Sequence, residues 1–304
     1  MPRLTTPRVK KIVPLLFLLS LLAGPGVAQA AHGDPKAEKT GILLVAFGTS
    51  VAGADVAYKN IEKKVAEAFP GVELRWAYSS MIIRHKLAAE KNAAEHDSPA
   101  EALAKMMDEG FTDVVVQPLQ TIPGQEYNAT AETARAFSGM PKGMARVVVG
   151  MPLLSSTADL ERTAGVLSAM APKERAAGEA VVFVGHGTHH PANVYYPGLQ
   201  YYLQKNDRLA FVGTVEGSPS LQDVLADLAR NKVKKVYLLP FLAVAGDHVH
   251  NDIAGDGPDS WKSSLTRAGI ACVPVLKGTG ESDAVVAIWV DHIKAAMAQL
   301  GAAR

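Results

Sequence analysis

The chain has 304 residues, 48% of them hydrophobic and 20% charged, with 31 Lys+Arg against 30 Asp+Glu and a formal net charge of +1. Such a balance leaves no basic excess for nucleic acid or a membrane surface, and the length suits one large or two smaller globular domains. Cys272 is the single cysteine, which excludes an intramolecular disulfide and any cysteine-cluster site for zinc or iron–sulfur.

Residues 1–30 read as a secretory signal peptide. Arg3, Arg8, Lys10 and Lys11 form a positive start, Ile12 to Ala23 is an apolar run containing Pro14, and Gly24-Pro25-Gly26 breaks it before the small-x-small site Ala28-Gln29-Ala30. The run is shorter than the roughly 20 apolar residues of a membrane span, so the competing reading, an uncleaved anchor, is the weaker one. Cleavage before Ala31 is expected, with a soluble, periplasmic mature protein. Losing those four basic residues leaves 27 Lys+Arg (31 less four) against 30 Asp+Glu, a formal charge of −3.

Short β-branched runs then alternate with longer helical stretches. The expected strands are 41–47, 72–78, 113–118 and 145–150, followed by 180–185, 209–215, 234–240 and 270–276. Between them, Asp55 to Phe69 is amphipathic, Met81 to His96 reads as a helix on the outer side of the first half, and Ser98-Pro99-Ala100-Glu101 opens another with a capping box. Ser282 to Leu300 reads as a long final helix. Alternation of this kind implies an α/β architecture with parallel sheets. The expected fold is two Rossmann-like halves, each a four-stranded parallel sheet flanked by helices. Residues 31–175 and 176–281 form the halves, and residues 282–304 a helix packing back on the first.

The halves resemble each other as a tandem duplication would. Gly41-Ile-Leu-Leu-Val-Ala-Phe-Gly-Thr49 matches Ala180-Val-Val-Phe-Val-Gly-His-Gly-Thr188, and Pro118-Leu-Gln-Thr-Ile-Pro-Gly-Gln-Glu126 matches Pro240-Phe-Leu-Ala-Val-Ala-Gly-Asp-His248. In this register Phe47 corresponds to His186, and Glu126 to His248. Ligands bind outside the carboxyl ends of strands in open parallel sheets, so facing units would direct Glu126 across a cleft at His186 and His248. Two imidazoles and a carboxylate suit a borderline divalent metal such as cobalt, iron, nickel or zinc, and either imidazole can act as a base. Gly185, Gly187 and Gly246 let the backbone pass close to a bulky flat ligand. Taken singly, each residue has a plainer role: a hydrogen-bonded structural histidine, or an acid at a helix N-terminus. His250 is read as supporting the ligands rather than binding metal itself, and His189 and His190 as loop or cleft-rim residues. An incomplete dinucleotide fingerprint, the lack of a Walker A motif and the lack of a Gly-x-Ser-x-Gly elbow argue against nucleotide chemistry and a hydrolase.

Val-Gly-His186-Gly-Thr, Gln-Pro-Leu…Gly-Gln-Glu126-Tyr, Thr214-Val-Glu-Gly and Pro-Phe-Leu…Ala-Gly-Asp-His248…Asn-Asp together resemble the anaerobic sirohydrochlorin cobaltochelatases. These are ATP-independent class II chelatases, related to ferrochelatase, and the resemblance covers residues 40–300. It implies insertion of Co2+, with Fe2+ an alternative, into a sirohydrochlorin-type tetrapyrrole in cobalamin or other porphyrin-type biosynthesis. It further implies His186, His248 and Glu126 around the metal, with His186 as first base and Glu126 completing coordination or relaying a proton. The secretory segment departs from a family whose pathway is cytoplasmic. A periplasmic metal- or haem-binding protein is the alternative function. His85 and His96, 11 residues apart, would share one face of the Met81 to His96 helix and leave the His96 ring exposed. Both are most simply solvated residues; the functional alternative is an accessory haem held by His96 at a contact in a homo-oligomer.

Overall fold

A computed structural model describes residues 38–90 and 96–302. Residues 1–30, expected to be a signal peptide, lie outside the described residues. The first sheet contains β1 (Thr40–Ala46), β2 (Glu73–Tyr78), β3 (Asp113–Pro118) and β4 (Arg146–Val149), in the order β2-β1-β3-β4. The second contains β5 (Ala180–Gly185), β6 (Ala210–Thr214), β7 (Lys235–Pro240) and β8 (Ala271–Pro274), in the order β6-β5-β7-β8. All neighbours in both sheets are parallel. The same order in each is the expected duplication. The central strands are buried on both faces, Ile42 to Val45 and Ala180 to Val184 being fully inaccessible. Their unbroken runs of Val, Ile and Leu are what a helix-covered parallel sheet requires.

Helices α1 (Val56–Ala68), α2 (Met81–Ala88), α3 (Pro99–Asp108), α4 (Gln125–Phe137) and α5 (Thr157–Met170) belong to the first half. Helices α6 (Tyr195–Asn206), α7 (Leu221–Arg230) and α8 (Trp261–Arg267) belong to the second, and α9 (Asp283–Ala302) ends the described chain. The capping box at Ser98 forms as its sequence predicts: its hydroxyl accepts from Glu101 N–H at 3.2 Å, and Glu101 accepts from Ser98 N–H at 2.7 Å. Ser220 and Asp223 repeat the device on α7. One apolar cluster contains Ile42, Leu44 and Ile61 of the first half, Val181, Phe183 and Leu199 of the second, and Val285, Trp289 and Ile293 of α9, and the halves meet where α5 packs on α6.

Helix α9 lies against α1, α5, β3 and β4, all in the first half. Asn60 donates to Gly280 O at 3.0 Å, and His292 bonds Asp159 Oδ1 at 3.1 Å and Met151 O at 3.0 Å. The apolar faces of this helix are occupied by protein. No helix among the described residues is long and apolar enough to cross a membrane.

The helix expected over Met81 to His96 is shorter. It ends at Ala88, and residues 91–95 lie outside the described residues. Tertiary bonds draw the chain back to the end of β2. Tyr78 N–H donates to Asp97 O at 2.9 Å, and the His96 ring stacks on Tyr78 with centroids 4.1 Å apart. His96 is therefore half-buried rather than exposed, and it shares no helix face with His85. Nor is α2 on the outer side. It follows β2 at the carboxyl edge of the sheet, where Lys86 pairs with Asp247 at 3.7 Å.

Candidate active site

The two halves present matching backbone at the carboxyl ends of their strands. Ser80 N–H donates to Phe47 O at 3.1 Å, as Glu216 N–H donates to His186 O at 2.7 Å. Leu119 N–H bonds Val45 O at 2.8 Å, and Phe241 N–H bonds Val184 O at 2.7 Å. Gly124 N–H turns back to Ile122 O at 2.8 Å, and Gly246 N–H to Val244 O at 3.0 Å. Phe47 and His186 thus occupy one position of the repeated frame, and Glu126 and His248 another. After the paired glycines the halves diverge: Glu126 sits in the first turn of α4, whereas His248 opens a single π-helical turn, Val249–Ile253.

The tertiary structure joins the two histidines directly. His186 Nε2 and His248 Nε2 are 3.1 Å apart, with ring planes at 89°. His186 Nδ1 lies 3.0 Å from Gly187 O, and His248 Nδ1 lies 2.6 Å from Asp252 Oδ2. A carbonyl and a carboxylate only accept, so each Nδ1 carries the proton and each Nε2 keeps a lone pair. With metal–nitrogen bonds of about 2.1 Å, a 3.1 Å separation corresponds to an N–metal–N angle of about 95°, that of two adjacent ligands on one ion. The pair can therefore hold a divalent ion.

Glu126 is exposed on the other half, and its Oε2 accepts from Ser79 Oγ at 2.8 Å. Among the described residues no three His, Cys, Asp or Glu side chains converge as a metal-holding group. The structure thus brings His186 and His248 together and leaves Glu126 bonded to Ser79. His250 is exposed, and the residue that supports His248 is Asp252. The signal for it was the i, i+4 spacing of His248 and Asp252 after a glycine. His190 Nδ1 accepts from Ala192 N–H at 3.1 Å and caps the short 3₁₀ turn Pro191–Val194, while His189 is exposed. Burial lowers the pKa of His96, with Asp97 opposing, so its ring favours the neutral form.

The flanking glycines answer to protein neighbours. A methyl on Gly185 would stand 2.4 Å from the Tyr196 ring. Gly187 has φ +77°, and a methyl there would meet Thr214 Cβ at 2.7 Å and the Glu216 carbonyl carbon at 2.9 Å. Both positions are closed by packing, which fixes the His186 backbone against β6 and α6. Near Gly246 the two halves approach, since a methyl on it would lie 3.4 Å from Thr49 Oγ1.

A family model described as cobalt chelatase (CbiK) matches residues 40–298. The chain belongs to this cobalt chelatase family. It is 42% identical over 262 residues to the sirohydrochlorin cobaltochelatase CbiKC of Nitratidesulfovibrio vulgaris strain Hildenborough, covering 86% of this chain and 92% of that protein. It is 36% identical over 263 residues to the sirohydrochlorin cobaltochelatase of Salmonella typhimurium, covering 85% and 97%. Among solved structures it shares the fold of SirB from Bacillus subtilis with Fe3+, with a TM-score of 0.58, 14% identity and coverage of 86% and 98%. The cobalt chelatase frame is thus two matching four-stranded sheets, and the paired imidazoles belong to the second of them.

Proposed function

We propose that the protein is a sirohydrochlorin cobaltochelatase, inserting Co2+, with Fe2+ also accepted, into a sirohydrochlorin-type tetrapyrrole without a nucleotide. The observation that carries this reading is the imidazole pair, with Nε2 atoms 3.1 Å apart and both Nδ1 protons held by acceptors. The two named relatives, each more than a third identical, support the substrate. Insertion of a dication exchanges two pyrrole N–H protons for one metal. His248, steadied by Asp252, presents the metal; His186 accepts the first proton at Nε2; Glu126, across the cleft, takes the third ligand position or relays the second proton. Purified protein mixed with sirohydrochlorin and Co2+ should give the metallated absorption spectrum without ATP. No acceleration over the protein-free mixture would end this reading.

Two further proposals concern place and accessory binding. We propose that the chain is exported to the periplasm and begins near Ala31, supported by the charge and apolar pattern of residues 1–30. An intact Met1–Ala30 segment in native protein, seen by mass spectrometry, would refute it. We also propose that His96 binds a haem between copies in a homo-oligomer. What supports this is a half-buried, neutral ring whose nitrogens make no hydrogen bond among the described residues. Added haem should give a low-spin bis-histidine spectrum that His96→Ala loses; a spectrum unchanged by that substitution would reject the site.

A further inference from the structure

Phe47 holds in the first half the position that His186 holds in the second, yet the chemistry above leaves it idle. It is also conspicuously placed. The strand before it is buried throughout, from Ile42 at 0% to Ala46 at 2% exposed, and Phe47 itself is 50% exposed. Beside it, Met81 and Ile82 open α2 with 60% and 75% exposure. Ser80 fastens these residues together, its N–H donating to Phe47 O at 3.1 Å and its Oγ accepting from Ile83 N–H at 3.3 Å. Helix α2 buries none of its residues. Exposed large apolar side chains grouped in this way mark a surface that something covers.

Three contacts of neighbouring residues set this patch close to Glu126 and His248. Ser79, next to Ser80, donates to Glu126 at 2.8 Å. Thr49, two residues beyond Phe47, meets Gly246, two residues before His248. Lys86 of α2 pairs with Asp247 at 3.7 Å. The patch therefore adjoins Glu126 on one side and the segment leading to His248 on the other.

We propose that Phe47, with Met81 and Ile82, forms an apolar bed on which one face of the tetrapyrrole rests while His186 and His248 serve its nitrogens. This rests on the cobaltochelatase reading. A tetrapyrrole has two broad π faces and a polar rim, and an aromatic ring offset against such a face supports it without competing for the metal. Met81 and Ile82 extend that support by dispersion. A second imidazole at position 47 would instead offer the ion another nitrogen. Duplication supplied the same backbone twice, and the phenyl group keeps both imidazoles on one wall of the cleft, opposite Glu126.

The test compares Phe47→Ala, Phe47→Trp and the double variant Met81→Ser/Ile82→Ser in the full chain. Metal-free sirohydrochlorin binding is titrated by absorbance, and steady-state rates are measured with tetrapyrrole and Co2+ varied separately. Phe47→Ala should raise both Kd and KM for the tetrapyrrole about tenfold. KM for Co2+ should stay within about twofold, since the imidazole pair is untouched. Phe47→Trp should restore tight binding, and the double variant should weaken it like Phe47→Ala. Half-exposed side chains leave the melting temperature nearly unchanged, which separates this outcome from a folding defect. If wild type inserts cobalt and both apolar-to-small variants bind tetrapyrrole as wild type does, the bed is refuted and the chelatase reading stands. If wild type neither binds nor metallates sirohydrochlorin, both fall together.

Discussion

Asp252→Ala should separate catalysis from stability. Its Oδ2 holds His248 Nδ1 at 2.6 Å, but the two side chains are 41% and 47% exposed and sit four residues apart on one short turn. An exposed pair at that spacing contributes only about 0.5 kcal/mol to folding, so the melting temperature should move by no more than about 2 °C. The effect on the reaction is of another order. Without the carboxylate, His248 can rotate or exchange tautomers, and its Nε2 lone pair no longer faces His186 Nε2 across 3.1 Å. Partners that orient a metal-binding histidine are typically worth 10- to 100-fold in affinity or activity. Asp252→Ala should therefore lose about 100-fold in cobalt insertion. Asp252→Asn, which keeps an accepting oxygen but no charge, should lose about tenfold. The assay is the spectral change of sirohydrochlorin on metallation, run beside thermal unfolding. Near-normal turnover by Asp252→Ala, alongside an inactive His248→Ala, would show that the imidazole needs no such support.

Other expectations follow from the same geometry. His186→Ala and His248→Ala should each reduce insertion by more than about 100-fold with native far-UV circular dichroism, since each removes one of two convergent donors; near-normal turnover by both would displace the site. Gly187→Ala should lower the melting temperature by more than about 3 °C and impair insertion together, because φ +77° and the 2.7 Å approach to Thr214 Cβ exclude a methyl; an unchanged melt would contradict this. Asp159 tests pH dependence. Burial alone would raise its carboxyl, but hydrogen bonds from Ser155, Ser156 and His292 hold it below the ordinary carboxylate value. A depressed folded-state pKa stabilises above the unfolded value, about 3.9, and that contribution is lost as pH falls through the folded one. Asp159→Asn should thus be less stable than wild type at pH 7 in urea, with the gap narrowing on acidification below about pH 4. A gap constant with pH would assign the loss to packing.

Much of the frame was legible because its determinants are local. A parallel strand covered on both faces must be a run of apolar β-branched residues, and the eight runs read from sequence form strands with ends shifted by no more than two residues. Ser98, Pro99 and Glu101 lie within four residues, so their cap could be read without a partner. Duplication did the rest, since Pro118 and Pro240 with Gly124 and Gly246 set the register that aligns Phe47 with His186 and Glu126 with His248. Contacts between distant residues were not legible. The chain after α2 is drawn back by Tyr78, which bonds Asp97 and stacks on His96, so helical periodicity overstated that helix. The glycines beside His186 are required by Tyr196, Thr214 and Glu216, none of them sequence neighbours. Asp252 was visible only as an i, i+4 neighbour of His248, a pairing that needs the chain after Gly246 to form a helical turn, as it does. The sequence by itself determined the strands, the repeat and the candidate imidazoles, since propensity and periodicity act over a few residues. Tertiary structure decided which side chains meet, because 62 residues of chain separate His186 from His248 and only the packing of β5 beside β7 closes that gap to 3.1 Å.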